Sequence, residues 1–200
     1  MEPVRRAYGA VAEQYIELFA STDAVHADDL AFIDRHLLIE SGPVLDAGCG
    51  PGHLTAHLRA QGVEATGIDL TPEFIAHARG ADPDGRYEIG SMLQLPVADA
   101  SVVGILAWYS LVHLPPDDLD RVLVELRRVL VPGGVLVAGF FDGDEVGPFD
   151  HKVVTAYRWP VDDLSARLAR AGFTELERER RSGIEVAGHR PHAAIAALAR

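Results

Sequence analysis

Val44-Leu45-Asp46-Ala47-Gly48-Cys49-Gly50-Pro51-Gly52 is a short apolar run that closes on a carboxylate and then breaks into alternate glycines. His53 to Gln61 follows with Leu54 and Leu58 at helical spacing, up to a helix-stopping Gly62. A strand, a glycine loop and a helix in that order are the opening unit of a parallel sheet. In such a sheet a ligand sits beyond the carboxyl end of the first strand, where it turns into the first helix. Alternate glycines there remove the side chains that would hold a ligand off the backbone, and the helix start presents free N–H groups. The dinucleotide fingerprint G-x-G-x-x-G fails, because position 53 is histidine. Asp46 at the strand end favours a ligand with a positive charge over a pyrophosphate.

Working outward, the unit repeats. Glu64 to Leu70 reads as a strand, Thr71-Pro72-Glu73 as a helix start with Thr71 as its cap, and the helix runs to Arg79. Asp69 ends that strand nineteen residues beyond Gly50. A carboxylate there can accept both hydroxyls of a ribose; the plainer alternative is an acid serving the next helix. Strands follow at Arg86 to Gly90, Val102 to Tyr109 and Val135 to Phe141, with a helix at Asp118 to Leu130 ended by Pro132-Gly133-Gly134. Asp150 to Arg158 is ambiguous, and Val161 to Ala171 is helical. Phe173 to Arg180 and Ala193 to Ala199 read as closing strands, the last against alanine's helical preference. Ahead of the sheet lie helices at Val4 to Phe19 and Asp29 to Ile39, the second stopped by Ser41-Gly42-Pro43. The expectation is one α/β domain over 1–200: a doubly wound, mostly parallel seven-stranded sheet in 41–200 under an N-terminal helical cap in 1–40.

Composition narrows the class. The chain has 200 residues, 48% of them apolar, with 30 acidic against 18 basic side chains and a net charge of −12. Nucleic acid is disfavoured as a partner, since phosphate contacts need clustered cations. The opening MEPVRRAYGA lacks the apolar core of a signal peptide, and no run approaches the ~18 apolar residues of a membrane span. A single cysteine, Cys49, excludes an intrachain disulfide and a thiolate-rich metal site. A soluble cytoplasmic protein is expected, with no metal.

The segments VLDAGCGPGHLT (44–55), GIDLTPEFI (67–75), GSMLQLPVADAS (90–101) and LRRVLVPGGVLV (126–137) resemble the successive motifs of class I S-adenosylmethionine-dependent methyltransferases, in order and at ordinary spacing. They are most similar to the small-molecule branch that includes the ubiquinone/menaquinone-type enzymes, with weaker similarity in YGAVAEQY and RAGF. The resemblance implies a Rossmann-like methyltransferase fold that moves the methyl group of S-adenosylmethionine to a small organic acceptor. It implies Asp46, Gly48 and Gly50 around the methionine part of the cofactor, Asp69 on the ribose and Leu70 on the adenine. Met92 and Leu93 would complete the adenine site, and Ala107 and Trp108 would face the methionine moiety. Ser91 stands where the family often has an aspartate that bonds the adenine amino group.

In-line methyl transfer needs alignment more than a triad, and a base only if the nucleophile must lose a proton. His113 is the candidate base; its alternative is packing between the strand end and Pro115-Pro116. Tyr8 and Tyr15, seven residues apart on one helical face, either pack in the core or close over cofactor and substrate, with Tyr15 the better cofactor candidate. Phe141, His151, Tyr157, Arg158 and Trp159 flank the loop Asp142 to Gly147 and either wall an acceptor pocket or fill its underside. His53 and His57 read as helix packing, His189 and His192 have no acidic or thiolate residue beside them in sequence, and Asp82-Pro83-Asp84-Gly85 reads as a turn. Cys49 suits a cramped loop better than nucleophilic chemistry, and Asp142-Gly143-Asp144-Glu145 reads as solvated surface. A non-catalytic cofactor-binding sensor or partner protein is the alternative function, followed by a dinucleotide-dependent oxidoreductase. The oligomeric state stays open.

Overall fold

The computed structural model describes residues 1–38, 42–181 and 191–200. The expected ends of the second helix at Ile39 and of its turn at Ser41, and His189, lie outside them. Seven strands form the main sheet: β1 (Pro43–Ala47), β2 (Glu64–Asp69), β3 (Arg86–Ile89), β4 (Val102–Trp108), β5 (Leu130–Phe141), β8 (Phe173–Arg181) and β9 (His192–Ala199). Between β5 and β8 lies a small antiparallel hairpin of β6 (Gly147–Phe149) and β7 (Ala156–Arg158). The order in the main sheet is β3-β2-β1-β4-β5-β9-β8, parallel as far as β5 and antiparallel at both edges of β9. Strand order reverses at β1, so a crevice opens between the carboxyl ends of β1 and β4.

The helices are α1 (Glu2–Ala10), α2 (Ala12–Phe19), α3 (Ala27–Leu37), α4 (His53–Ala60), α5 (Pro72–Ala81), α6 (Pro116–Val129) and α7 (Val161–Arg170). Alternation along the strands divides the core. Leu45, Ala47, Ile68, Ile105 and Ala107 pack with α6 and α7, whereas Val44, Ala65, Leu106 and Val137 pack with α3 and α4. α6 shows why such a helix forms. Pro116 and Asp117 open it, Arg127 and Arg128 close it, and Leu119, Val122, Leu123, Leu126 and Val129 bury one face. Each buried residue of that size contributes about 1.5–3 kcal/mol.

Two expected boundaries move. The long N-terminal helix is broken at Val11, whose φ of −121° and ψ of 15° leave the helical region, so Tyr8 and Tyr15 sit on different helices. α6 stops at Val129, before Pro132, because Leu130 is already extended and pairs with Val102. The Pro-Gly-Gly segment therefore lies inside β5, where the register with β4 shifts and Gly133 takes a left-handed φ of +80°. The Asp82–Gly85 segment is a turn, closed by the Gly85 N–H donating to Asp82 O at 3.0 Å.

Candidate functional site

The glycine loop after β1 is built by its left-handed residues. Gly48 and Gly52 have φ of +82° and +90°; a Cβ on Gly48 would lie 2.3 Å from Ser110 Cβ, and one on Gly52 2.7 Å from Ala78 Cβ. Gly50, at φ +54°, has nothing within 4 Å of such a Cβ, and the loop is open there. The loop's own N–H groups are engaged internally. Gly48 and Cys49 donate to Ile68 O at 2.7 and 3.0 Å, Gly52 to Cys49 O at 3.1 Å, and Gly50 to Asp69 Oδ2 at 3.0 Å.

Asp69 is thus a bridge. Its other oxygen accepts the Thr71 N–H at 2.8 Å, so the carboxylate serves both the glycine loop and the start of α5. Thr71 stands at the cap position, but among the described residues its side chain makes no capping bond. The two readings of Asp69 are compatible, because each carboxylate oxygen can accept more than one hydrogen bond.

A cavity of about 880 Å³ opens over the loop. Tyr15, Asp46, Gly48, Gly50, Trp108 and His113 from the expected site line it, joined by Tyr8, His53, Tyr109, Phe141, His151 and Lys152. Asp69, Leu70, Ser91, Met92, Leu93 and Ala107 are not among its lining residues. Ala107 and Met92 are buried in the core, Leu93 packs against it, and Ser91 Oγ accepts the Leu93 N–H at 3.2 Å. The loop bearing 91–93 is tied down from α6: Glu125 accepts the Leu95 N–H at 2.7 Å, and Arg128 bonds Val97 O and Asp99. Aromatic rings from the cap cover the start of α5. Tyr8 and Tyr15 pack 5.9 and 5.2 Å from Phe74 on the first turn of α5 and 5.4 Å from each other, beside Asp69.

Burial sets the electrostatics. Asp46 is fully enclosed, accepts the Thr55 hydroxyl at 2.6 Å, and its pKa is raised to about 7, chiefly by desolvation. Burial pushes the Tyr15 hydroxyl up to about 12 and His53 down to about 4. Cys49 is buried, its thiol held well above the ordinary range by burial and then by Asp46 and Asp69, so it stays protonated. His113 occupies the 3₁₀ turn Leu111–His113 after β4, between Tyr8 and the backbone oxygen of Thr155.

Several residues in and beside the cavity escaped the sequence. His53, which lines the cavity, and Ser110, which packs against Gly48, have Nδ1 and Oγ buried with no hydrogen-bond partner among the described residues. His57 ties α4 to α3 through Asp34 at 2.7 Å. Tyr109 adopts a left-handed φ of +52°, a strained state for a non-glycine residue, and packs 5.1 Å from Phe141. Neither orphaned atoms nor a positive φ has a sequence signal; Lys152, the chain's one lysine, could have been flagged by composition. Of the aromatics around the loop after β5, Phe141 and His151 line the cavity, whereas Trp159 is core. Asp142 is not solvated surface. It is buried and pairs at 2.8 Å with Arg180, whose long side chain reaches it from β8 across the intervening β9. No described helix is long and apolar enough to cross a membrane.

Residues 44–134 match the family described as a methyltransferase domain. Over that segment the chain is similar to S-adenosylmethionine-dependent methyltransferases. Among its relatives, the malonyl-acyl-carrier-protein O-methyltransferase of Erwinia billingiae is 32% identical over 170 residues, covering 84% of this chain and 63% of the relative. The arsenite methyltransferase of Halobacterium salinarum is 37% identical over 150 residues, covering 67% and 38%. The chain thus spans about two thirds or less of the length of these curated relatives. Among solved structures, the 1,6-didemethyltoxoflavin-N1-methyltransferase of Burkholderia thailandensis, which holds S-adenosylhomocysteine, shares the fold at a TM-score of 0.82 and 22% identity, covering 99% of this chain and 88% of that one.

Proposed function

We propose that this methyltransferase domain transfers the methyl group of S-adenosylmethionine to a small organic acceptor. The observation that carries the reading is the glycine cradle at the β1–β4 crevice, open at Gly50 and backed by the buried Asp46 carboxylate and the orphaned Ser110 hydroxyl. These groups suit a zwitterionic, positively charged ligand, and their unsatisfied hydrogen-bonding capacity is what such a ligand would use. Asp46, Gly48 and Gly50 would hold the methionine part with Tyr15 and Trp108 alongside. Asp69 would take the ribose, and Leu70, Ser91, Met92 and Leu93 would border the adenine. Ala107 supports this floor from the core.

Bound there, S-adenosylmethionine supplies a methyl group on a sulfonium, an activated leaving group that leaves the protein the task of alignment. The end of the cavity lined by Tyr109, Phe141 and His151 is the acceptor side, apolar enough to exclude water and to stack a flat molecule. His113, on the same wall, is the candidate base for an acceptor that must lose a proton. The relatives' names point to acceptors as different as a carrier-bound acid and arsenite, so the fold leaves the acceptor open.

Calorimetric titration with S-adenosylhomocysteine, with NAD and NADP as controls, tests the reading. Micromolar binding of S-adenosylhomocysteine alone is expected, and preference for a dinucleotide would overturn it. Radiolabelled methyl transfer to a panel of small acids, phenols and amines then separates an enzyme from a non-catalytic binding protein.

A further inference from the structure

The hydrogen bonds around His113 fix its protonation pattern by geometry. Nδ1 lies 2.9 Å from the backbone carbonyl oxygen of Thr155, which can only accept. Nδ1 therefore carries the ring proton, and Nε2 of the neutral imidazole is a lone pair. The Tyr8 hydroxyl is 2.7 Å from Nε2 and must donate to it. The imidazole's one basic position is thus already covered, while the phenolic oxygen of Tyr8 keeps lone pairs of its own. Three separate elements meet here: α1 brings Tyr8, the turn after β4 brings His113, and the segment before β7 brings Thr155. Tyr8 and His113 both line the cavity.

We propose that Tyr8 receives the acceptor's proton directly and passes its own to His113 Nε2, so that the pair, and not the imidazole alone, is the base of this site. The proposal rests on the reading of the cavity as a methyltransferase site. As the acceptor's nucleophilic atom bonds the methyl carbon, its bond to hydrogen breaks. That proton goes to the Tyr8 oxygen, the Tyr8 hydroxyl proton goes to Nε2, and the carbon–sulfur pair stays with the leaving thioether. The positive charge lost at sulfur reappears on the imidazolium, whose Nδ1–H still faces Thr155. Net charge in the cavity is unchanged, which keeps the step inexpensive in a buried setting.

The surroundings fit a relay. Burial, and after it Tyr15 and Asp69, raise the Tyr8 hydroxyl far above its ordinary value, so Tyr8 transmits a proton and does not store charge as phenolate. Burial lowers His113, outweighing the Thr155 bond, so the ring is neutral and ready to accept at physiological pH. The titratable neighbours that face the ring are Tyr8 and His151, the latter 5.4 Å away. Tyr8 is held in place by its edge-on contacts with Tyr15 and Phe74, which a phenylalanine would keep.

The test uses the full chain labelled with ¹⁵N-histidine, as wild type, Tyr8→Phe and His113→Gln, with and without S-adenosylhomocysteine. NMR is expected to show His113 as the Nδ1–H tautomer with Nε2 accepting a hydrogen bond. In Tyr8→Phe that bond is lost, the Nε2 resonance moves to that of an unbonded lone pair, and the pKa of His113 falls, because the imidazolium loses the hydroxyl oxygen that would accept from its Nε2–H. With phenol as the acceptor, Tyr8→Phe and His113→Gln each lower methyl transfer about 100-fold, and the double variant falls no further. An Nε2–H tautomer, an unmoved His113 titration in Tyr8→Phe, or unequal additive losses would overturn the relay. Failure of the wild type to bind S-adenosylhomocysteine would overturn the methyltransferase reading instead, and the NMR of the free protein still reports on the pair.

Discussion

Asp46 near the end of β1 and Asp69 at the end of β2 are both held above the ordinary carboxylate range by burial. Asp46 is enclosed, and its raised pKa means that the folded protein holds this proton more tightly than the unfolded chain does. Stability therefore falls as pH rises from about 4 through about 7, the ordinary and the folded pKa of Asp46. Asp46→Asn, which keeps the Thr55 bond, is expected to melt higher than the wild type at pH 8, by on the order of a few kcal/mol, and to converge with it near pH 4. Thermal denaturation across that range checks the sign, and the same variant is expected to bind S-adenosylhomocysteine more weakly. Asp69→Asn is expected to cost about 1.5–3 kcal/mol of nucleoside affinity, the range for hydrogen bonds to a charged group. Calorimetry on the folded variant decides it; unchanged affinity would remove Asp69 from the ribose site. Both carboxylates were legible in the sequence because they end apolar runs. Their present partners were not, since Thr55 and Gly50 reach them only after the chain has turned.

At the scale of elements, β9 shows where propensity yields to pairing. Its alanines favour a helix in isolation, yet Ala193 and Ala197 face α6 and α7 while Ala194 and Ala196 face α3, and the strand pairs along both edges. Small side chains are what a strand packed on both faces can bury without pushing the helices apart. Ala196→Leu is accordingly expected to destabilise by about 1–3 kcal/mol in urea denaturation, from overpacking against α3. The loop after β1 makes a similar contrast: Gly48→Ala meets the Ser110 side chain, whereas Gly62→Ala, also left-handed, meets open space. Both variants lose backbone freedom, but Gly48→Ala is expected to lose more stability and to lose cofactor binding as well. The break at Val11 had no visible cause in sequence, because the apolar period continues through it. Only the docking of α2 against α5 requires the turn.

For the molecule as a whole, a ligand that binds the native state alone must stabilise it by mass action. At about 100 times its Kd, S-adenosylhomocysteine is expected to add about 2.7 kcal/mol, a rise in Tm of roughly 5–11 °C for a chain of this size. NAD at the same concentration is expected to leave Tm unchanged, and a thermal-shift assay reads both. The order of strands, the glycine loop, the acidic residues at the strand ends and the methyltransferase motifs were all determined by the sequence itself, because each depends on near neighbours: hydrophobic period, turn chemistry and local spacing. The cavity walls were decided by the tertiary structure alone. Tyr8, His113 and Thr155 are separated by more than a hundred residues of chain at the extremes and meet only when α1 folds over the end of β4. Which lone pair is free, which polar atom is orphaned and which rings cover the start of α5 are properties of distance in space, and local pattern holds no record of them.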